Sequence, residues 1–375
     1  MSGIGLLRAL YAILPGGIVA WWLTRWLSGP PALLQSYPVL DFPNERSSHV
    51  KPVVRVGGVG IVLPLFFLAP IVMTLVWSSP VERAAEARGA IWVLLGLAGM
   101  STVGLIDDLS RLRPLPKLVG QLLATLPALV STGGLGQVEL PLLGLFDWSG
   151  SDVGSGTGLL LAALWVIGFT NCFNFLDGID GMAGGCGALF SLSLGLLAWQ
   201  ADLLGTAAAC LLLTSTCAGF LLHNFPPARI FMGDVGSLSV GYLLAVFSLQ
   251  VVQRGASRAP FLAILLLLGP FLYDAGYTLC RRWRRGEPLA EAHRSHLYQR
   301  LVASGQSHRR VALIYYALSF LGGLGALSYG RAGEKGQLLL LGGGLGLCGG
   351  LTVSVWLVER RVAPASHEEK TKEGA

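Results

Sequence analysis

Apolar stretches of about 17–25 residues recur from one end of this chain to the other, the length that crosses the hydrocarbon core of a bilayer. No other feature restricts the fold as much. Lipid offers no hydrogen bonds to a bare backbone, so runs of this length must be spanning helices. They fall at roughly 4–27, 57–77, 88–105, 118–134, 156–172, 185–199, 204–222, 238–252, 259–280, 311–329 and 336–357. That makes about eleven helices, several short enough to imply tilt or partly broken ends. Charged residues make up 13% of the 375, about half the share in a soluble globular domain, which excludes a water-soluble core as the main architecture. The expected fold is an all-α polytopic membrane protein with 10–11 transmembrane helices, one domain over 1–375 whose last residues, 358–375, form a disordered tail. The first apolar run continues through Trp21, Trp22 and Trp26 without a small-residue cleavage site and reads as an uncleaved span. The six cysteines lie in or beside apolar segments with no CxxC pair, which argues against disulfides and zinc.

Lysine and arginine orient the spans. When the loops are taken alternately, one set carries 19 of the 27 basic residues and the other set 7, with Arg25 at a border. The positive-inside rule makes the first set cytoplasmic, with the N-terminus outside and the C-terminus inside. The net charge of +6 is then explained by basic loops meeting anionic lipid, and no nucleic-acid partner is expected. Every unusual polar segment, from DFPNERSSH to HRSHLYQR, falls in the cytoplasmic set or at its membrane edge. The chemistry is expected at that one surface.

Asp107 and Asp108 close an apolar run, where carboxylates are costly unless paired or metal-bound. A solvated helix end near Arg111 and Arg113 is the blander alternative. Lys117, two prolines later, either reaches back towards the pair or an anionic ligand, or simply anchors at the interface. Asn171, Asn174 and Asp177 are spaced by three, so a helix would set them on one face, and Asp177–Gly178 and Asp180–Gly181 repeat the spacing. A turn-rich loop accounts for the glycines but not for two asparagines at the end of a span. Asp234, in Phe231–Ser237, can present oxygen to a hard cation, while N–H groups at the next helix start would favour phosphate; a turn with a helix cap is the alternative. His293 and His296 follow a run of arginines at i, i+3 spacing, which on a helix would suit a pyrophosphate or a metal. Asp41, Asn44, Arg46 and His49 form a further polar cluster that would otherwise pass for an ordinary loop.

Taken in order, these segments resemble the polyprenyl-phosphate N-acetylhexosamine-1-phosphate transferase family, glycosyltransferase family 4. The resemblance runs from about Asp41 to Arg300: the aspartate pair, the NxxNxxDGxDG segment at Asn171–Gly181, FMGDxGS at Phe231–Ser237, and the histidine loop. His293-Arg-Ser-His296 in place of a histidine run, with the Asp41–His49 segment, looks like the branch that starts O-antigen or related polysaccharides. Val54-Arg55-Val56-Gly57-Gly58 stands where a Pro-Arg-Gly-Gly-Gly-like sequence is usual, so no contact is assigned to Arg55.

The resemblance implies transfer of a sugar-1-phosphate (GlcNAc, FucNAc or QuiNAc type) from a UDP-N-acetylhexosamine to undecaprenyl phosphate, releasing UMP. It also implies Mg²⁺, with Mn²⁺ as a substitute, a place in the bacterial inner membrane among its lipids, and a homodimer as one option for assembly. By this resemblance Asp234, with Asp107, holds the metal, and the Asp107/Asp108 pair positions or deprotonates the lipid phosphate. Asn171, Asn174, Asp177 and Asp180 hold the nucleotide sugar, and Lys117, His293 and His296 lie near its phosphates. A phosphate monoester is already largely ionised at neutral pH, so a strong general base is optional. Two alternatives stand beside this one: transfer of phospho-MurNAc-pentapeptide, and, from a different class, an ion-coupled transporter. A transporter would place acids near mid-span, where Asp274 is the main example.

Overall fold

The computed structural model describes residues 3–29, 40–41, 52–76, 80–142, 144–147, 152–254, 261–289, 291 and 293–372. Its helices are α1 (Gly3–Leu27), α2 (Val59–Val76), α3 (Pro80–Ser110), α4 (Pro114–Thr132), α5 (Asp152–Phe175), α6 (Met182–Gln200), α7 (Leu204–Asn224), α8 (Gly233–Arg254), α9 (Phe261–Arg284), α10 (Leu297–Ala303), α11 (His308–Tyr329) and α12 (Glu334–Lys372). All of them except α1 and the seven-residue α10 are long and apolar enough to cross a membrane, ten spans among the described residues. The 25-residue α1 packs on α2 and α7, so the long helices agree with the eleven apolar runs. α12 continues to Lys372, into the segment expected to be a tail. Two short antiparallel ribbons complete the fold: β1 (Leu40–Asp41) with β2 (Val53–Val54), and β3 (Gln137–Leu140) with β4 (Gly144–Asp147).

The bundle is built around α8. Every residue from Val235 to Val251 is buried, with α3 and α5 as its main neighbours. In lipid the apolar face of a helix gains nothing by meeting another apolar face, so close backbone approach and interhelical hydrogen bonds drive association. Both occur along α8. Ser239 meets Ser101 of α3 at 2.8 Å, the Tyr242 hydroxyl donates to the Val93 carbonyl at 3.1 Å, and Trp165 Nε1 of α5 donates to Ser248 at 2.9 Å. A Cβ on Gly104 of α3 would lie 2.6 Å from the Val235 Cα, so only glycine lets the end of α3 lie against the start of α8. This contact sets Asp107 and Asp108 beside Asp234.

Helices that alternate in direction gather alternate ends. The ends of α3, α5 and α7 and the starts of α4, α6, α8 and α11 are linked by hydrogen bonds at one end of the bundle, and α9 joins the histidine loop there through Asp274 in its second half. All the described motif residues lie there.

Candidate active site

The chain turns sharply between α3 and α4, with Arg111 in the left-handed region (φ 52°). Asp107 Oδ1 accepts the Leu112 N–H at 2.7 Å and holds this turn. Its other oxygen, Oδ2, accepts from Lys117 Nζ at 3.2 Å. The same ammonium donates to Asp234 Oδ2. Asp234 Oδ1 accepts from Asn174 Nδ2 at 3.0 Å, and that amide also donates to Ser237 Oγ at 2.8 Å. Two helix ends and two helix starts, separated by up to 127 positions in sequence, thus converge around one cation between two carboxylates.

Asp108 is turned the other way. It is 2% exposed, and its oxygens accept the backbone N–H groups of Asp234 and Val235, each at 2.9 Å. Arg55 adds an ion pair at 2.9 Å. Asp108 therefore caps α8, satisfying donors that the first turn of a helix leaves open. The expectation that these N–H groups stand free for phosphate is corrected, because Asp108 already occupies them. Arg55 reaches the site because β2 runs beside Ile230–Met232: Phe231 N donates to Val54 O, and Gly57 N and Gly58 N donate to Phe231 O and Met232 O.

Asn171 and Asn174 lie in the last turns of α5, but the helix ends at Phe175 and Asp177 is in the loop beyond. The single helical face expected for the three is not formed. Asn171 is engaged in a reciprocal amide pair with Gln121 of α4, 2.7 and 3.2 Å, which joins two helices. The Asp177 carboxylate makes no hydrogen bond among the described residues, and burial followed by the nearby Asp234 and Asp108 carboxylates pushes its pKa well above the usual carboxylate range. Asp180 accepts the Ala228 N–H at 3.1 Å and pairs with His308 at 3.3 Å. Asp180 thereby ties the α5–α6 loop to the segment before α8 and to the start of α11. Gly181, at φ 78°, completes this turn, its N–H donating to Asn224 Oδ1 and its carbonyl accepting from Tyr316.

The histidines do not share a helical face. His293 lies in coil, its Nδ1 3.1 Å from Ser295 Oγ, and His296 precedes the first turn of α10. Their rings are nevertheless 5.0 Å apart, and His296 packs 6.1 Å from Phe175, next to Asn174. His296 Nδ1 meets Asp274 Oδ1 at 3.2 Å. Asp274 is fully buried in α9. Tied to the loop in this way, it does not fit the carboxylate of an ion pathway, which removes the main support for a transporter. Asp41 belongs to β1, paired with Val53, while Asn44, Arg46 and His49 lie outside the described residues.

Sequence reasoning passed over Gln121, Asn224, Tyr315 and His308, assigned no contact to Arg55, and weighed Asp274 only as a mid-span acid. For Asp274 one signal existed: a lone acid in a spanning helix demands a partner. A divalent cation fits the donor set. Asp107 and Asp234 offer hard carboxylate oxygens around a place that Lys117 already marks as favourable to positive charge, and Mg²⁺ needs only one or two carboxylates besides water and phosphate. Among the described residues no group of three or more His, Cys, Asp or Glu side chains is placed to hold a metal ion.

The glycosyl transferase family 4 model matches residues 90–252. That span holds Asp107 to Asp234 but not the histidine loop. A decaprenyl-phosphate N-acetylglucosaminephosphotransferase of Mycobacterium tuberculosis is 33% identical over 343 residues, covering 83% of this chain and 81% of that protein. A protein of Bacillus subtilis named as a probable undecaprenyl-phosphate N-acetylglucosaminyl 1-phosphate transferase is 28% identical over 292 residues, 77% of this chain and 76% of its own. A phospho-N-acetylmuramoyl-pentapeptide-transferase of Moorella thermoacetica is 32% identical over 324 residues, 80% and 93% respectively. With its aspartates and asparagine joined around one lysine at the helix ends, the chain belongs to glycosyl transferase family 4, the polyprenyl-phosphate N-acetylhexosamine-1-phosphate transferases.

Proposed function

We propose that this chain transfers N-acetylglucosamine-1-phosphate, or the phosphate of a closely related N-acetylhexosamine, from its UDP-sugar to undecaprenyl phosphate, releasing UMP. The product would start a lipid-linked surface polysaccharide of the O-antigen kind. The observation that carries this reading is the Asp107–Lys117–Asp234–Asn174 linkage at one end of the bundle. The names of the relatives from Mycobacterium tuberculosis and Bacillus subtilis favour N-acetylglucosamine over its 6-deoxy derivatives. The basic-loop count favours the cytoplasmic face of the inner membrane for this end, where nucleotide sugars are available.

Phosphoryl transfer asks for in-line positioning and neutralised charge more than for covalent machinery. The diphosphate of the sugar nucleotide is anionic, and Lys117 is the cation nearest the two carboxylates. Asp234 and Asp107 would hold Mg²⁺, which when bound offsets the charge of the phosphate oxygens. Asn174 fixes the direction of Asp234 by occupying Oδ1. Asp177, free of hydrogen bonds among the described residues, is the carboxylate left to meet a ligand. Asp108 acts from behind, holding the start of α8 and so the Asp234 backbone.

The test is incubation of the purified protein with undecaprenyl phosphate, Mg²⁺ and a panel of UDP-GlcNAc, UDP-FucNAc, UDP-QuiNAc and UDP-MurNAc-pentapeptide, with UMP measured. Release with an amino-sugar nucleotide supports the proposal. Release with UDP-MurNAc-pentapeptide alone would reassign the sugar, and no release with any donor would sink the reading.

A further inference from the structure

Asp274 is the only acid inside the long apolar run of α9, and no role in the transfer has so far been given to it. Its two oxygens are surrounded by donors. Oδ1 accepts the Leu297 N–H at 2.9 Å and Thr278 Oγ1 at 3.2 Å, and faces His296 Nδ1 at 3.2 Å. Oδ2 accepts the Tyr298 N–H at 3.3 Å and the Tyr315 hydroxyl. Four of these partners can only donate or are oriented to donate towards the carboxylate. A carboxylate so surrounded is an acceptor, so the hydrogen shared with His296 sits on Nδ1 of the imidazole.

We propose that Asp274 is a positioning residue for His296: it holds the hydrogen on Nδ1, fixes the ring, and leaves Nε2 as the nitrogen offered beside the end of α5. His296 forms a capping box with Gln299, its side chain facing the Gln299 N–H and its own N–H donating to Gln299 Oε1 at 3.3 Å; no hydrogen bond is found at Nε2 among the described residues, and the ring is packed between Phe175, His293 and Tyr298, with centroids 5.0–6.1 Å away. The Tyr298 hydroxyl, from the same turn, donates to the Phe175 carbonyl at 3.0 Å and so locks the histidine loop to the helix that carries Asn174. The carboxylate thus performs two tasks with one geometry. It anchors the start of α10 through two backbone N–H groups, and it selects the imidazole tautomer through the third contact, as outer partners of functional histidines do. The identity of the molecule that meets Nε2, a phosphate of the sugar nucleotide, rests on the transfer reading above; the tautomer does not.

Asn at this position offers a single acceptor oxygen, while donors lie at both carboxylate oxygens, so one side must face an N–H₂ group. The experiment is ¹⁵N NMR of histidine-labelled full-length protein in nanodiscs above pH 8, with His296 assigned by comparison with His296→Gln. The wild-type ring is expected to carry its hydrogen on Nδ1. Asp274→Asn should lose that preference and reduce kcat for UMP release roughly 10- to 100-fold, with a smaller change in KM for the UDP-sugar. Tyr315→Phe, which removes a donor from Oδ2 without touching the His296 contact, should keep the wild-type tautomer. A wild-type ring protonated on Nε2 overturns the proposal with no variant needed, as does an unchanged tautomer in Asp274→Asn. If the wild-type protein releases no UMP from any donor, the transfer reading fails while the tautomer result stands separately.

Discussion

The Asp108 carboxylate accepts the backbone N–H of Asp234 at 2.9 Å, whereas its neighbour Asp107 meets the Asp234 side chain, with which it shares the Lys117 ammonium. Two adjacent aspartates thus serve one site from opposite sides. Asp107 faces the place where a ligand's charge would lie, and Asp108 holds the helix that presents Asp234.

The two are separable by substitution. Asp107→Asn and Asp234→Asn are expected to abolish UMP release while leaving expression and thermal midpoint close to wild type. Asp108→Asn removes the charge that faces Arg55 and leaves a single acceptor oxygen for the two N–H groups at the start of α8. It should lower the midpoint as well as the activity. Equal thermal stability in Asp107→Asn and Asp108→Asn would contradict the division.

Lys117 stands between two carboxylates that would otherwise repel one another. Lys117→Met is expected to cut UMP release by at least about 10³-fold, the scale of losing a preorganised charge in a phosphoryl-transfer site. It should also lower the thermal midpoint, and Lys117→Met combined with Asp107→Asn should recover part of that loss without recovering activity. Lys117→Arg is expected not to restore turnover, because a planar fork cannot replace a compact ammonium shared by two oxygens. Full activity in Lys117→Arg would remove the geometric claim.

Asp177 predicts a pH dependence whose sign is fixed by its raised pKa. Burial comes first among the causes and the Asp234 and Asp108 carboxylates next, so the folded protein disfavours the ionised form. A carboxyl with a folded pKa above its unfolded value costs stability that is absent below the unfolded pKa. The cost grows as pH rises and is complete above the folded pKa. Asp177→Asn should therefore raise the thermal midpoint at neutral pH by about 2 °C or more, and the gain should vanish towards pH 4. A gain that persists unchanged at pH 4 would exclude this origin.

Much of the site was legible in the sequence because its residues sit at the ends of apolar runs, where a carboxylate or carboxamide is conspicuous. Span counting put Asp107, Asn174 and Asp234 at one surface, and their hydrogen bonds bear that out. What stayed hidden depends on contacts between elements far apart in the chain. Asp274 and its partners outside α9 are 22–41 positions apart, so the buried acid read as a feature of mid-span. Arg55 looked displaced from a familiar pattern, yet a strand-like pairing with Ile230 carries it to Asp108. Spacing by three implied one helical face for Asn171, Asn174 and Asp177. The helix stops at Phe175, and Asn171 turns to Gln121 instead.

Helix approach offers the last test, because it separates the positions of residues from their chemistry. Gly104 has no functional group, yet a Cβ there would lie 2.6 Å from the Val235 Cα, a backbone atom that cannot step aside by rotating. Gly104→Ala must therefore push the end of α3 away from the start of α8, shifting Asp107 and Asp108 relative to Asp234 together. A displacement of about 1 Å in a site that works by positioning is worth roughly 10²-fold in rate, so UMP release should fall by that order. Gly168, in the middle of α5, has nothing within 4 Å of an added Cβ, and Gly168→Ala should stay within about 2-fold of wild type or gain slightly from better helix propensity. Both variants add the same methyl group to a spanning helix. If they lost activity equally, the loss would belong to the spans in general. If only Gly104→Ala lost it, the approach of α3 to α8 would be identified as what aligns the Asp107–Lys117–Asp234 linkage.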